Sequence, residues 1–142
     1  MVTKIKKERA DGRASTLPKG ELGTRTLAMP GDTNPNGDIF GGWVLSQMDI
    51  AGGIVSKKLA GLKTVTVAVD AMTFHLPVLV GDVLGCYVEV VKIGRTSITV
   101  KVEAWADREF SSTRVKVTEG LFTYVAIDAT RRPIQIKQAS QS

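Results

Sequence analysis

Residues 42–61 read GWVLSQMDIAGGIVSKKLAG, and the fold turns on whether that run is a helix. Val44, Met48, Ala51, Val55 and Leu59 recur at the three- and four-residue intervals that set side chains on one stripe, flanked by Trp43, Leu45, Ile50 and Ile54. Lys57 and Lys58 stand where positive charge suits a helix C-terminus, and Gly61 follows where a left-handed cap belongs. The spacing therefore predicts a mostly buried helix from Gly42 to Leu59. Upstream, Pro30 closes a short strand over 22–30, and GDTNPNGD (31–38) is a turn-rich loop.

Downstream the period changes to two. KTVTVAVDAMTF (63–74) alternates, with Val65, Val67, Val69 and Ala71 expected on one side. HLPVLVGD (75–82) turns the chain into VLGCYVEVVKI (83–93), and a tight connection at Gly94 leads to RTSITVKVEAWAD (95–107), where Thr96, Ile98, Val100, Val102 and Ala104 share a face. RVKVTEGLFTYVAID (114–128) alternates again. Strands joined by short turns pair antiparallel, and one amphipathic helix covers one face of such a sheet. The predicted class is α+β: one long helix wrapped by a curved antiparallel sheet of about five or six strands. A single helix leaves sheet edges uncovered, which favours a homo-oligomer.

The chain of 142 residues is the length of one domain with a real core. No run approaches the ~20 apolar residues of a membrane span, so membrane insertion is not expected. Of the formal charge of +5, residues 1–20 carry +4, from Lys4, Lys6, Lys7, Arg9, Arg13 and Lys19 against Glu8 and Asp11. A near-neutral body with a basic end reads as a flexible tail over 1–19, a single domain over 20–136 and a polar tail over 137–142. Contact of the first tail with an anionic partner is the alternative, and nucleic acid is not the expected ligand. Cys86 is the only cysteine, which excludes an intrachain disulfide. With no apolar secretory core at the N-terminus, the cytoplasm is the expected compartment.

Asp49 lies off the apolar stripe, with Gly42, Ser46, Gly53 and Ser56 around it on a small, polar face. Glycine inside a helix costs about 1 kcal/mol relative to alanine, so Gly52 and Gly53 call for compensation, such as close approach of another backbone or a ligand. A solvated surface is the plainer reading. At the helix start, Gly41 and Gly42 offer free N–H groups at the positive end of the helix dipole, which suits an oxyanion hole as well as it suits a tight turn. Seven residues separate Gly42 from Asp49, about 10 Å along a helix axis. Donors and base must lie within about 3 Å of the reacting atoms. If both act, they come from different subunits.

RTLAMPGDTNPNGDIFGGWVLSQMDIAGG (25–53), VTVAVDAMTFHLPVLVGDV (65–83), IGRTSITVKVEAW (93–105) and GLFTYVAID (120–128) together resemble the YciA-type acyl-CoA thioesterases of the hotdog superfamily. The likeness runs from about Gly20 to Pro133. It implies a hotdog fold, dimers with two shared active sites, often assembled as trimers of dimers, and hydrolysis of acyl-CoA to free acid and CoA. The family's catalytic acid falls on Asp49 and its asparagine before the helix on Asn34. Related enzymes often carry histidine before the glycine pair, and Phe40 here excludes a histidine base. The resemblance thus implies Asp49 as general base, or as a nucleophile forming a mixed anhydride. Asn34 would orient water or carbonyl, and the Gly42 amide of the other subunit would hold the oxyanion. Phe40, Gly41 and Ser46 are expected on the substrate side.

CoA carries phosphates, so cations should ring the entrance. Arg95, with Thr96 and Ser97 in the GRTS turn, is the first candidate, followed by Lys58 and by Lys57, Arg131 and Arg132. No cofactor and no metal are expected, since CoA is part of the substrate and His75 has no ligand cluster near it. Met29, Met48, Met72 and Phe74 either pack the core or line an acyl tunnel. A non-catalytic acyl-CoA-binding protein would need the pocket but neither Asp49 nor Asn34. A dehydratase would need a histidine at the active-site end of the helix.

Overall fold

A computed structural model describes residues 17–108 and 111–136. Helix α1 spans Gly41–Ala60, and five strands follow as β1 (Glu21–Leu27), β2 (Lys63–Phe74), β3 (Val83–Ile93), β4 (Ser97–Asp107) and β5 (Arg114–Ile127). They form one antiparallel sheet in the order β1-β3-β4-β5-β2, curved around the helix as the hotdog likeness implies. Helix α1 touches all five strands. The basic residues assigned to the first tail up to Arg13, and the polar run 137–142, lie outside the described residues. The main chain is tied to the sheet from Lys19, whose N–H donates to Glu103 Oε1 at 3.2 Å.

The helix ends where expected. Gly61 takes φ 66° and ψ 21°, a left-handed conformation natural to glycine, and its N–H returns to Lys57 O at 2.9 Å. Val44, Met48, Ala51 and Val55 are buried against the sheet, and Ile98, Val100, Val102 and Ala104 of β4 meet them from its concave face. The flanks depart from expectation: Ile50 and Ile54 are about half exposed, whereas Ser56, on the side read as polar, is buried, as is Gly52. Hydroxyls on the sheet make that burial tolerable. Ser56 Oγ lies 3.1 Å from Thr64 Oγ1 and is satisfied there.

Strand β2 does not alternate cleanly. Its register against β5 runs Thr64↔Ala126 and Thr66↔Tyr124, then slips so that Val69 faces Phe122. The extra residue, Val67, sits in a bulge and is 55% exposed. Val65 and Val69 therefore lie on opposite faces, and the single face expected for Val65, Val67, Val69 and Ala71 is not formed. A second slip between Asp70 and Thr73 holds Ala71 at φ 55°. β2 is an outer strand, and its Val67, Val69 and Phe74 are exposed, as are Ile50 and Ile54 of the helix. Of the residues expected in a core or tunnel, Met48 is buried and Met72 packs on the core, while Met29 and Phe74 are exposed.

Candidate active site

Asp49 stands half-buried in the middle of α1, and the sheet holds it in place. Thr66 Oγ1, on β2, donates to Asp49 Oδ1 at 2.7 Å. Tyr124, on β5 and opposite Thr66, reaches the same oxygen at 3.0 Å and the main-chain carbonyl of Asp49 at 2.9 Å. Burial raises the Tyr124 phenol well above its ordinary pKa, reinforced by the negative charge and hydrogen bond of Asp49. Tyr124 is thus a protonated donor at any working pH. The ring fits because residue 52 is glycine: a Cβ there would lie 3.0 Å from Cε1 and Cζ and nearer still to the hydroxyl oxygen. The compensation expected for the helix glycines is, at Gly52, a buried tyrosine rather than a backbone or a ligand. At Gly53 a Cβ would stand an ordinary 3.8 Å from the same ring.

At the N-terminus of α1, Trp43 and Val44 are the first amides to pair, both with Phe40 O, at 3.1 and 3.3 Å. The amides of Gly41 and Gly42 precede that first turn and have no intrahelical acceptor. A Cβ on Gly42 would meet nothing within 4 Å, so a ligand can come against the main chain there. Phe40 is exposed at the N-cap, and its N–H donates to Asp32 O.

Asn34, in the loop before the helix, accepts from the Asn36 N–H at 2.8 Å and the Asp38 N–H at 3.1 Å through Oδ1. Two donors on Oδ1 assign the amide orientation and leave Nδ2 as the outward function, so Asn34 can donate but hardly accept. Ser46 Oγ donates to Trp43 O at 2.8 Å, turned back on its own helix. No hydrogen bond joins Asn34, Gly42 or Ser46 to Asp49 within one chain. Carboxylate and amide donors thus stand apart within one chain.

A family model described as the thioesterase superfamily matches residues 36–109, the stretch that contains the glycine pair, Asp49 and Thr66. The chain belongs to the thioesterase superfamily. The acyl-CoA thioester hydrolase YciA of Salmonella typhimurium (strain LT2) is 55% identical over 119 residues, covering 82% of this thioesterase and 90% of that protein. Among solved structures, the hexameric thioesterase y2039 from Yersinia pestis is 52% identical with a TM-score of 0.82, covering 85% of this chain and 99% of that one. The hexameric broad-specificity acyl-coenzyme A thioesterase HI0827, solved as an aspartate-to-alanine mutant, is 50% identical with a TM-score of 0.82, covering 84% and 88%.

The cations singled out in the sequence sit at the other end of this thioesterase's sheet from the Asn34 loop. Arg95 is exposed in the β3–β4 turn. The turn is braced by Gly94 N–H to Ser97 O at 2.7 Å, Ala126 N–H to Thr96 O at 2.9 Å and Ile136 N–H to Arg95 O at 2.8 Å. Lys58 stands 3.8 Å from Glu21, both exposed, a pairing weak enough to give way to a phosphate. Arg131 and Arg132 are exposed in the turn after β5. His75 is exposed, its N–H on Val117 O at 2.8 Å. Among the described residues, no three His, Cys, Asp or Glu side chains group to hold a metal, and no helix is long and apolar enough to cross a membrane.

Thr66 and Tyr124 were not found by sequence reasoning. Their signal was weak: two hydroxyl side chains on strands otherwise read as alternating apolar runs.

Proposed function

We propose that the chain hydrolyses acyl-CoA thioesters to free acid and CoA, as a homodimer with two shared sites that assembles further as a trimer of dimers. The observation that carries this reading is the division of the site. Asp49 is held mid-helix by Thr66 and Tyr124, while the amide donors lie about 10 Å away along the axis at the helix start. A two-fold axis that pairs the free β2 edges sets the two helices antiparallel, bringing the Gly42 end of one toward Asp49 of the other. The exposed Ile50, Ile54, Val67 and Val69 supply the apolar surface such a dimer would cover. The relatives' names and the hexameric state of the two solved structures support the same reading.

In this site Asp49 takes a proton from water as the water oxygen attacks the thioester carbonyl carbon. The oxyanion is held by the Gly42 N–H of the partner subunit and by Nδ2 of Asn34, which can only donate. Collapse of the tetrahedral intermediate breaks the carbon–sulfur bond, and the proton on Asp49 passes to the departing thiolate. No cofactor enters these steps. Arg95, Thr96, Ser97 and Lys58 are assigned to the CoA phosphates, with Phe40, Gly41 and Ser46 along the acyl path.

Thiol release measured over acyl-CoA esters from acetyl to palmitoyl tests the reading. Wild-type protein is expected to turn over part of that panel, and Asp49→Ala to lose about 10³-fold in kcat with its assembly intact. Absence of thiol release from every ester would leave a binding protein. Full activity in Asp49→Ala would remove the base.

A further inference from the structure

We infer that Tyr124 is a positioning residue for the reaction: seated in the slot that Gly52 leaves in α1, its hydroxyl fixes the Asp49 carboxylate so that Oδ2 is the oxygen that takes the proton from water. The inference deepens the proposed function and rests on the reading of Asp49 as the base.

Three observations converge on it. The Tyr124 hydroxyl spans two acceptors of one residue, the main-chain carbonyl of Asp49 at 2.9 Å and its Oδ1 at 3.0 Å. A donor placed against both holds the side chain at a set angle to its own backbone, which a donor on the carboxylate alone would not do. Second, Thr66 lands on Oδ1 as well, at 2.7 Å. Among the described residues both donors fall on that oxygen and none on Oδ2, so negative charge is drawn off Oδ1 and the more basic lone pairs are on Oδ2. Third, the hydroxyl is placed by a rigid element. The ring is 1% exposed on the concave face of β5, and a side chain at position 52 would displace it. A glycine in the middle of a helix costs about 1 kcal/mol against alanine, which a ring packed only for its apolar surface would not require at that point.

A carboxylate misplaced by a fraction of an ångström is a poor base, so removal of the hydroxyl should act on turnover rather than on binding. Tyr124→Phe keeps the ring and its packing while removing the donor. The acyl-CoA ester that wild type turns over fastest serves as substrate, with kcat, KM, thermal midpoint and assembly state measured for Tyr124→Phe, Asp49→Asn and the control Tyr87→Phe. Tyr87 sits on β3 with its hydroxyl on Arg114, away from the helix.

We expect Tyr124→Phe to lose about tenfold in kcat with KM within twofold and assembly unchanged, and Tyr87→Phe to match wild type. Wild-type kcat in Tyr124→Phe alongside an inactive Asp49→Asn would overturn the inference and leave the base in place. A drop in kcat accompanied by an equal rise in KM, a lowered midpoint or broken assembly would make Tyr124 merely structural. Activity in Asp49→Asn would remove the reading on which the inference stands.

Discussion

Gly52→Ala sets two well-known helix effects against each other, and the geometry decides which wins. Alanine in place of glycine inside a helix stabilises by about 1 kcal/mol when the new methyl meets open space. At Gly52 it meets Tyr124, with Cε1 and Cζ at 3.0 Å and the hydroxyl oxygen nearer still. The ring is almost wholly buried beside Phe122 and Ile98, so in a close-packed interior it can give way only by displacing its neighbours. Overpacking of this kind costs about 1–3 kcal/mol, and a hydroxyl pushed off Asp49 forfeits the one hydrogen bond its proton shares between two acceptors, worth about 1–2 kcal/mol. The net expectation is a loss of about 1–4 kcal/mol, the propensity gain being outweighed. Gly53→Ala is the internal comparison, because its methyl would lie 3.8 Å from the ring and keep the propensity gain. Denaturant titration of both variants at one fixed protein concentration, so that assembly contributes equally, measures the difference. Gly52→Ala as stable as wild type, or as Gly53→Ala, would refute the reasoning.

Two further outcomes follow from the geometry. When Asp49→Ala and Asn34→Ala subunits are mixed and exchanged, one site of each hybrid dimer holds an intact Asp49 facing an intact Asn34, so activity should return to about a quarter of wild type at equal mixing. No recovery after verified exchange would place both groups in one chain. Cys86 is fully buried and its thiol is pushed up to about 11 by burial. At pH 8 only on the order of one in a thousand is thiolate, so native protein should resist a thiol reagent that labels the urea-unfolded chain at once. Rapid labelling of native protein would contradict the burial.

The helix, its Gly61 cap and the apolar face of β4 were legible because each is a local pattern written in adjacent turns or alternate residues. Asp49 was legible as a carboxylate on a helix whose stripe it does not share. What escaped is non-local. Tyr124 lies 75 residues from Asp49, and nothing in GLFTYVAID distinguishes a tyrosine that fills a core from one that holds an acid. Gly52 carried half of that message, since an interior glycine implies something pressed against it, but not what. Thr66 was hidden by the bulge at Val67, which breaks the alternation used to assign faces. The outward flanks of α1 were misjudged for another reason: Ile50 and Ile54 obey the pattern of burial, yet one chain offers nothing to bury them. Their apolar character fits the dimer proposed above.

The bulge at Val67 also bears on how this chain can vary. An exposed residue on an outer strand would ordinarily be the first place to accept a deletion. Here, losing it would leave Thr66 opposite Tyr124, Ala68 opposite Thr123 and Val69 opposite Phe122, but would straighten β2 and remove the added twist that the unpaired residue gives its edge. Length at this point therefore governs the bend of the edge and not the alignment of its pairs: position 67 shapes β2 without aligning it.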